Sequence, residues 1–242
     1  MNAHLFCAWG LGGLLLLLPA PLPASEPVTQ RELLDRSVSS SAAPILSSAD
    51  RQWLERKKVL RLGTSAPDYP PFDINVSQHD YEGLTADYAG LLAEQLRVGV
   101  QVLHYPDRNA AIQALHRGEI DLLGSANGFE GADSELLSSL PYAEDQAVIA
   151  TPLGKPRNPD DDLAGLRLAM VDHYLPAERI REVYPHANLQ LYASSMAALS
   201  ALTQGDSDAF IGDAISADYL IDNHYRDSVQ ISYYVKIGRA HV

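Results

Sequence analysis

From Val59 onward, short apolar runs alternate with helical periodicities. Val59, Leu60 and Leu62 open a strand over 59–64, and Leu84, Tyr88, Leu91, Leu92 and Leu96 then share one face of a helix over 84–96. Strand Val100–Tyr105 precedes a helix over Arg108–Arg117, in which Ile112, Leu115 and His116 share a side and Gly118 ends the helix. Ile120–Leu123 is a third strand. A second series follows: strand Leu166–Val171, helix Ala177–Val183, strand Leu189–Tyr192, helix Ser195–Gln204, strand Ala209–Gly212 and helix Asp213–Asp222. Repeated β-α-β units with short turns imply parallel sheets covered on both faces. Between the series, Gln146–Thr151 reads as an extended segment leading out of the first series, and Val229–Val235 alternates as a further strand after the second.

Upstream, Leu5–Leu18 is apolar but shorter than the roughly 20 residues a membrane span needs. The Pro- and Ala-rich stretch Pro19–Ala24 breaks it, so residues 1–24 read as a secretory signal, although no Lys or Arg precedes Arg31. Ser25–Ser48 is expected to be a linker with a short helical pattern around Glu32–Arg36. Ala49–Lys58 is a short helix, with Trp53 and Leu54 pinning it to the first lobe.

Composition narrows the function classes. A net charge of −13 argues against nucleic acid or an anionic membrane surface as partner. Cys7 is the only cysteine, which excludes an internal disulfide and a cysteine metal site, and the eight histidines lack zinc spacing. No dinucleotide fingerprint after a strand, no P-loop and no nucleophile elbow occurs, so neither an enzyme nor a cofactor is implied.

The candidate chemistry begins at Asp68-Tyr69-Pro70-Pro71-Phe72, directly after the first strand. Two prolines stiffen the segment in an extended form and hold Tyr69 and Phe72 where a ligand stacks on them; the alternative is that both are core aromatics covering the sheet edge. The stretches LRLGTSAPDYPPFD and YEGLTADYAGLLAEQL resemble the opening of the bacterial extracellular solute-binding proteins of family 3, two-lobed "Venus flytrap" domains. In wording they are closest to the periplasmic sensor domains of tandem-flytrap hybrid histidine kinases. The similarity runs from about Ala49 to about Tyr234.

The resemblance implies an α/β, two-lobed periplasmic-binding-protein-like (type II) fold with two hinge strands: lobe one over 59–150, lobe two over 151–226, and a return strand over 227–242. The family pattern would run on past Tyr234, so the C-terminal part of lobe one is expected to be truncated. The last residues, Lys236–Val242, match one frame of a sequencing adapter and are expected to be an artefactual tail.

In such a fold Ser125 and Asn127, in the loop after the third strand, would hold a ligand's polar groups. The arginine that amino-acid-binding members place a few residues on is absent, with Phe129–Asp133 supplying acids instead. Where the family has a hydroxyl-bearing anion turn, this chain has His173 and Tyr174. Asp213 matches the position that pairs with a ligand ammonium, and it also suits the N-cap of the following helix. The implied function is periplasmic binding of a small polar ligand, flat or cationic, as the sensory input of a membrane-embedded histidine kinase. The alternatives are a free binding protein serving an amino-acid-type ABC permease and, more weakly, the non-catalytic half of a cell-wall lyase.

Overall fold

The computed structural model describes residues 27–38, 44–126 and 136–241, the last six by backbone alone. The signal expected over 1–24 lies outside them, and no described helix is long and apolar enough to cross a membrane. Two separate sheets form two lobes. The first contains β1 (Thr29–Leu33), β2 (Val59–Ser65), β3 (Ile74–Asn75), β4 (Asp80–Glu82), β5 (Gly99–Tyr105) and β6 (Leu122–Leu123), in the order β3-β4-β1-β5-β2-β6. The second contains β7 (Glu144–Pro152), β8 (Arg167–Val171), β9 (Asn188–Tyr192), β10 (Ala209–Asp213) and β11 (Val229–His241), in the order β11-β7-β10-β8-β9. Parallel pairing of β2 with β5 and β6, and of β8 with β9 and β10, is what the two β-α-β series require.

Helices α1 (Ser48–Lys57), α2 (Leu84–Leu96) and α3 (Arg108–His116) belong to the first lobe, and α4 (Ala177–Val183), α5 (Ser195–Gln204) and α6 (Ala214–Leu220) to the second. Local signals fix their starts. Ser47 and Asp50 form a capping box on α1, and Asp107, Ser194 and Asp213 cap α3, α5 and α6. Gly205, in the left-handed region, closes α5.

Three expectations change. The stretch read as a linker carries β1, which pairs antiparallel with β5 and parallel with β4 and so closes an open edge of the first sheet. Leu33 then packs beside Leu62, Tyr81 and Val102, and this tertiary partner overrides the weak helical pattern of Glu32–Arg36. Trp53 is 48% exposed and α1 buries no residue; the helix is tied down instead by Lys57, whose Nζ lies 2.7 Å from Asp121. In α2 the buried face is Thr85, Ala86 and Ala89, whereas Leu84, Tyr88 and Leu92 face outward. Short side chains let the helix lie close to the sheet, and the segment after β1 crosses its outer side. There the backbone amide of Arg36 donates to Asp87 at 2.7 Å, and Gly90 leaves room for Asp35.

The extended segment expected to leave lobe one is β7, an inner strand of the second sheet between β10 and β11. Ala147–Ala150 are buried in it, so the second sheet begins ahead of the boundary expected at 150. The strand expected to return to lobe one is β11, which instead runs antiparallel beside β7 at the edge of the second sheet.

Candidate functional site

Parallel strands end on the side where the two lobes face each other, and the loops there build one cavity of about 120 Å³. Lobe one contributes Ser65 to Tyr69, Asp73, Arg108 and Ser125; lobe two contributes Val171 to Tyr174 and Ala193 to Ser195.

The Tyr69–Asp73 segment is a tight turn and not an extended arm. The carbonyl of Tyr69 accepts from the amides of Phe72 and Asp73, both at 2.9 Å, and its own amide donates to the Asp73 carbonyl. The far side of the turn caps α2, whose Leu84 and Thr85 amides donate to the carbonyls of Pro71 and Phe72 at 3.0 and 3.1 Å. Gly83 is required here. Its φ is 116°, and a Cβ would sit 2.3 Å from the Phe72 carbonyl oxygen.

This geometry separates the two aromatics. Tyr69 lines the cavity, whereas Phe72 is fully buried beneath it, stacked at 5.1 Å and edge-on to Tyr142 at 6.4 Å. Asp73, a buried part of the cavity wall, accepts from the hydroxyls of Tyr81 and Ser125. The Ser125 hydroxyl is therefore committed within its own lobe, while its carbonyl and that of Gly124 take the Arg108 guanidinium at 2.8 and 3.0 Å. Asn127 lies outside the described residues.

In lobe two, His173 and Tyr174 both reach the cavity. Ser125 and His173 have left-handed backbones, φ 36° and 69°, uncommon for residues other than glycine. His173 is half-exposed with its ring 3.6 Å from Asp172, whereas Tyr174 is buried. Asp213 is off the cavity wall and 2% exposed; its carboxylate accepts from the Ser216 amide at 2.6 Å as the cap of α6 and faces the Tyr69 hydroxyl across the lobes. Beside it, Asp145 accepts from the Ala214 and Ile215 amides at 3.0 and 3.3 Å.

Burial and the neighbouring Asp145 push the Asp213 carboxyl up to about 7, against the pull of the Ser216 amide and the Tyr69 hydroxyl. Asp145 is raised as well, chiefly by burial. Burial, followed by the Asp213 charge, holds the Tyr69 and Tyr174 hydroxyls protonated well above the usual tyrosine range.

Sequence reading thus found Tyr69, Ser125, His173 and Tyr174 on the wall and missed Arg108, Asp73, Ser194 and Ser195. A signal existed for Ser194, as an N-cap before a periodic run; nothing local marks Arg108 or Asp73, which meet Gly124 and Ser125 only through the fold.

Two α/β lobes, each built on its own sheet, with a cavity where they face each other define a clamshell binding domain. The chain belongs to the bacterial extracellular solute-binding proteins, family 3, whose family model matches residues 60–215. It is 44% identical over 216 residues to the virulence sensor protein BvgS of Bordetella parapertussis, a match covering 89% of this chain and 17% of that protein. It is 25% identical over 195 residues to the sensor protein EvgS of Escherichia coli O157:H7, covering 80% of this chain and 16% of that protein. Among solved structures, the B. pertussis BvgS periplasmic domain superposes with a TM-score of 0.76 at 40% identity, covering 88% of this chain and 41% of that one. The chain therefore spans about a sixth of the length of these curated relatives.

Proposed function

We propose that this chain is the periplasmic ligand-binding input region of a membrane sensor histidine kinase, and that closure of its lobes on a small polar molecule is the signal. The observation that carries the reading is a match to a sensor protein that runs through both lobes, over 89% of the chain. Only a closed form touches a ligand from both sides, so binding shifts the population toward it.

Seven residues were expected to hold the ligand. Tyr69, His173 and Tyr174 remain candidates for direct contact because they line the cavity. Ser125 and Asp213 act through the loops and partners they position, and Phe72 supports Tyr69 from below. Zwitterionic α-amino acids should bind weakly, because Arg108 on the wall already clasps two backbone carbonyls.

Two measurements test this. Sequencing the intact gene should reveal membrane-spanning and kinase segments downstream; a stop codon soon after residue 242 would favour a free transport protein instead. Thermal shift of the purified chain against amino acids, amines and organic acids should find a stabilising ligand outside the standard amino acids. Micromolar binding of a plain amino acid, retained in Asp213→Ala, refutes the reading of the cavity.

A further inference from the structure

Three helices of lobe two start near the cleft, and their first turns differ chemically. At α6 the amides of Ala214 and Ile215 are taken by Asp145. At α4 the first turn carries Glu178. At α5 there is no acidic residue in the first turn. Ser194 caps it, accepting from the Ala197 amide at 3.1 Å and, through its carbonyl, from Ala198 at 3.0 Å. The amides of Ser195 and Met196 have no helical carbonyl to reach.

A second observation falls on the same turn. Ser195 is 2% exposed, and its Oγ has no hydrogen-bond partner among the described residues. A buried hydroxyl in that condition is destabilising unless something meets it. Both Ser194 and Ser195 lie on the cavity wall, so the turn opens onto the space between the lobes.

We propose that the Ser195 hydroxyl and the Ser195 and Met196 amides form an oxyanion subsite, and that it takes the carboxylate of a small organic acid. This rests on the reading that the cavity binds a ligand, and adds which group the ligand presents and where. Helix starts favour negative charge, and a hydroxyl donor beside two amides matches a carboxylate's acceptors. The acids lining the lobe-one side do not compete as cation sites. Asp68 is held by the amide and side chain of Asn75, at 3.2 and 2.5 Å, and Asp73 by two hydroxyls. Ala66, Pro67, Val171 and Ala193 supply apolar wall for the hydrocarbon part, and a cavity of about 120 Å³ keeps the occupant small.

The test is amide NMR on the full chain, titrated separately with acetate, succinate, sulfate and neutral acetamide. Acetate or succinate should shift the Ser195 and Met196 amides saturably, and acetamide should not. Ser195→Ala should weaken binding about tenfold without lowering the unfolding temperature, since it removes the unpartnered hydroxyl. Ser195→Pro, which suits a first helical position, should abolish the response. Unmoved Ser195 and Met196 amides, or equal binding by wild type and both variants, overturn the subsite. Sulfate acting where both carboxylates fail overturns the organic-acid assignment. A probe that shifts Tyr69 and Tyr174 but not Ser195 removes the subsite and spares the cavity; silence at all of them counts against both.

Discussion

Asp213→Asn isolates the electrostatics at the base of the cleft. The carboxyl is 2% exposed and raised from 3.8 to about 7, first by burial and then by Asp145. At about 1.4 kcal/mol per pKa unit, this corresponds to about 4 kcal/mol between its protonated and ionised forms in the fold. Because the folded value lies above the unfolded one, the favourable contribution is full below about pH 4 and is lost as pH rises through about 7. Asp145 is also raised and acts in the same direction. Asp121 and Asp208 are lowered by their arginine partners and lose their contributions only at more acidic pH, outside this window. Asparagine caps a helix as well as aspartate and still offers an oxygen to Tyr69 or Ser216. Urea unfolding of both proteins at pH 4.5, 6, 7 and 8.5 should therefore show wild type losing stability as pH rises, while Asp213→Asn loses less and is the more stable of the two at pH 8.5. Parallel stability curves across that range would refute the argument.

Phe72→Ala should cost about 3–5 kcal/mol in urea unfolding, as a buried aromatic does, whereas a ligand-facing ring would cost far less. Gly90→Ala gains about 1 kcal/mol of helix propensity but places a Cβ 2.4 Å from Asp35 Cγ, so trypsin should cut faster at Arg36 and the gain should not appear. An unchanged digestion rate with a full gain would mean the segment does not bind α2. Asp121→Asn weakens contacts to Lys57 and Arg61 that are partly open to solvent, so a loss of about 1 kcal/mol at pH 7 that begins to shrink only as pH falls below about 4 is expected from thermal unfolding.

Most of the architecture was legible because β-α-β order is written locally. Helices α2, α4 and α5 fall at the residues their periodicity marks, and β2, β5, β8, β9 and β10 fall within a residue of theirs. What failed depends on partners distant in sequence. Thr29–Leu33 becomes a strand only because β5 and β4 offer edges to it. The leucines of α2 promised the core, yet an alanine face lies closer to a sheet, and periodicity alone cannot choose between two apolar faces. At the site, aromatic identity drew equal attention to Tyr69 and Phe72; the turn that points one outward and the other inward is a hydrogen-bond pattern invisible in composition. Arg108 and Ser125 meet only because the start of α3 and the loop after β6 lie side by side.

The two lobes also share a device that divides their charges by position. In each, an arginine near the start of a strand grips an aspartate preceding a neighbouring strand: Arg61 with Asp121 at 2.9 Å, and Arg167 with Asp208 at 2.9 Å. In each pair the arginine's backbone amide donates to the same carboxylate, and the aspartate's amide returns a bond to the arginine's carbonyl. These clasps sit at the strand ends away from the cleft, where water screens them and their strength is modest. At the cleft ends the buried carboxylates Asp73 and Asp213 meet hydroxyls and amides, not cations. An ion pair sunk there would pay a desolvation penalty that its attraction need not recover. Neutral donors hold the same acids with directional bonds and leave the cleft without a fixed cation competing for an incoming anion, apart from Arg108, which is clasped to backbone carbonyls. The charge that holds each lobe together is thus kept at one end of its sheet, and the geometry available for recognition at the other.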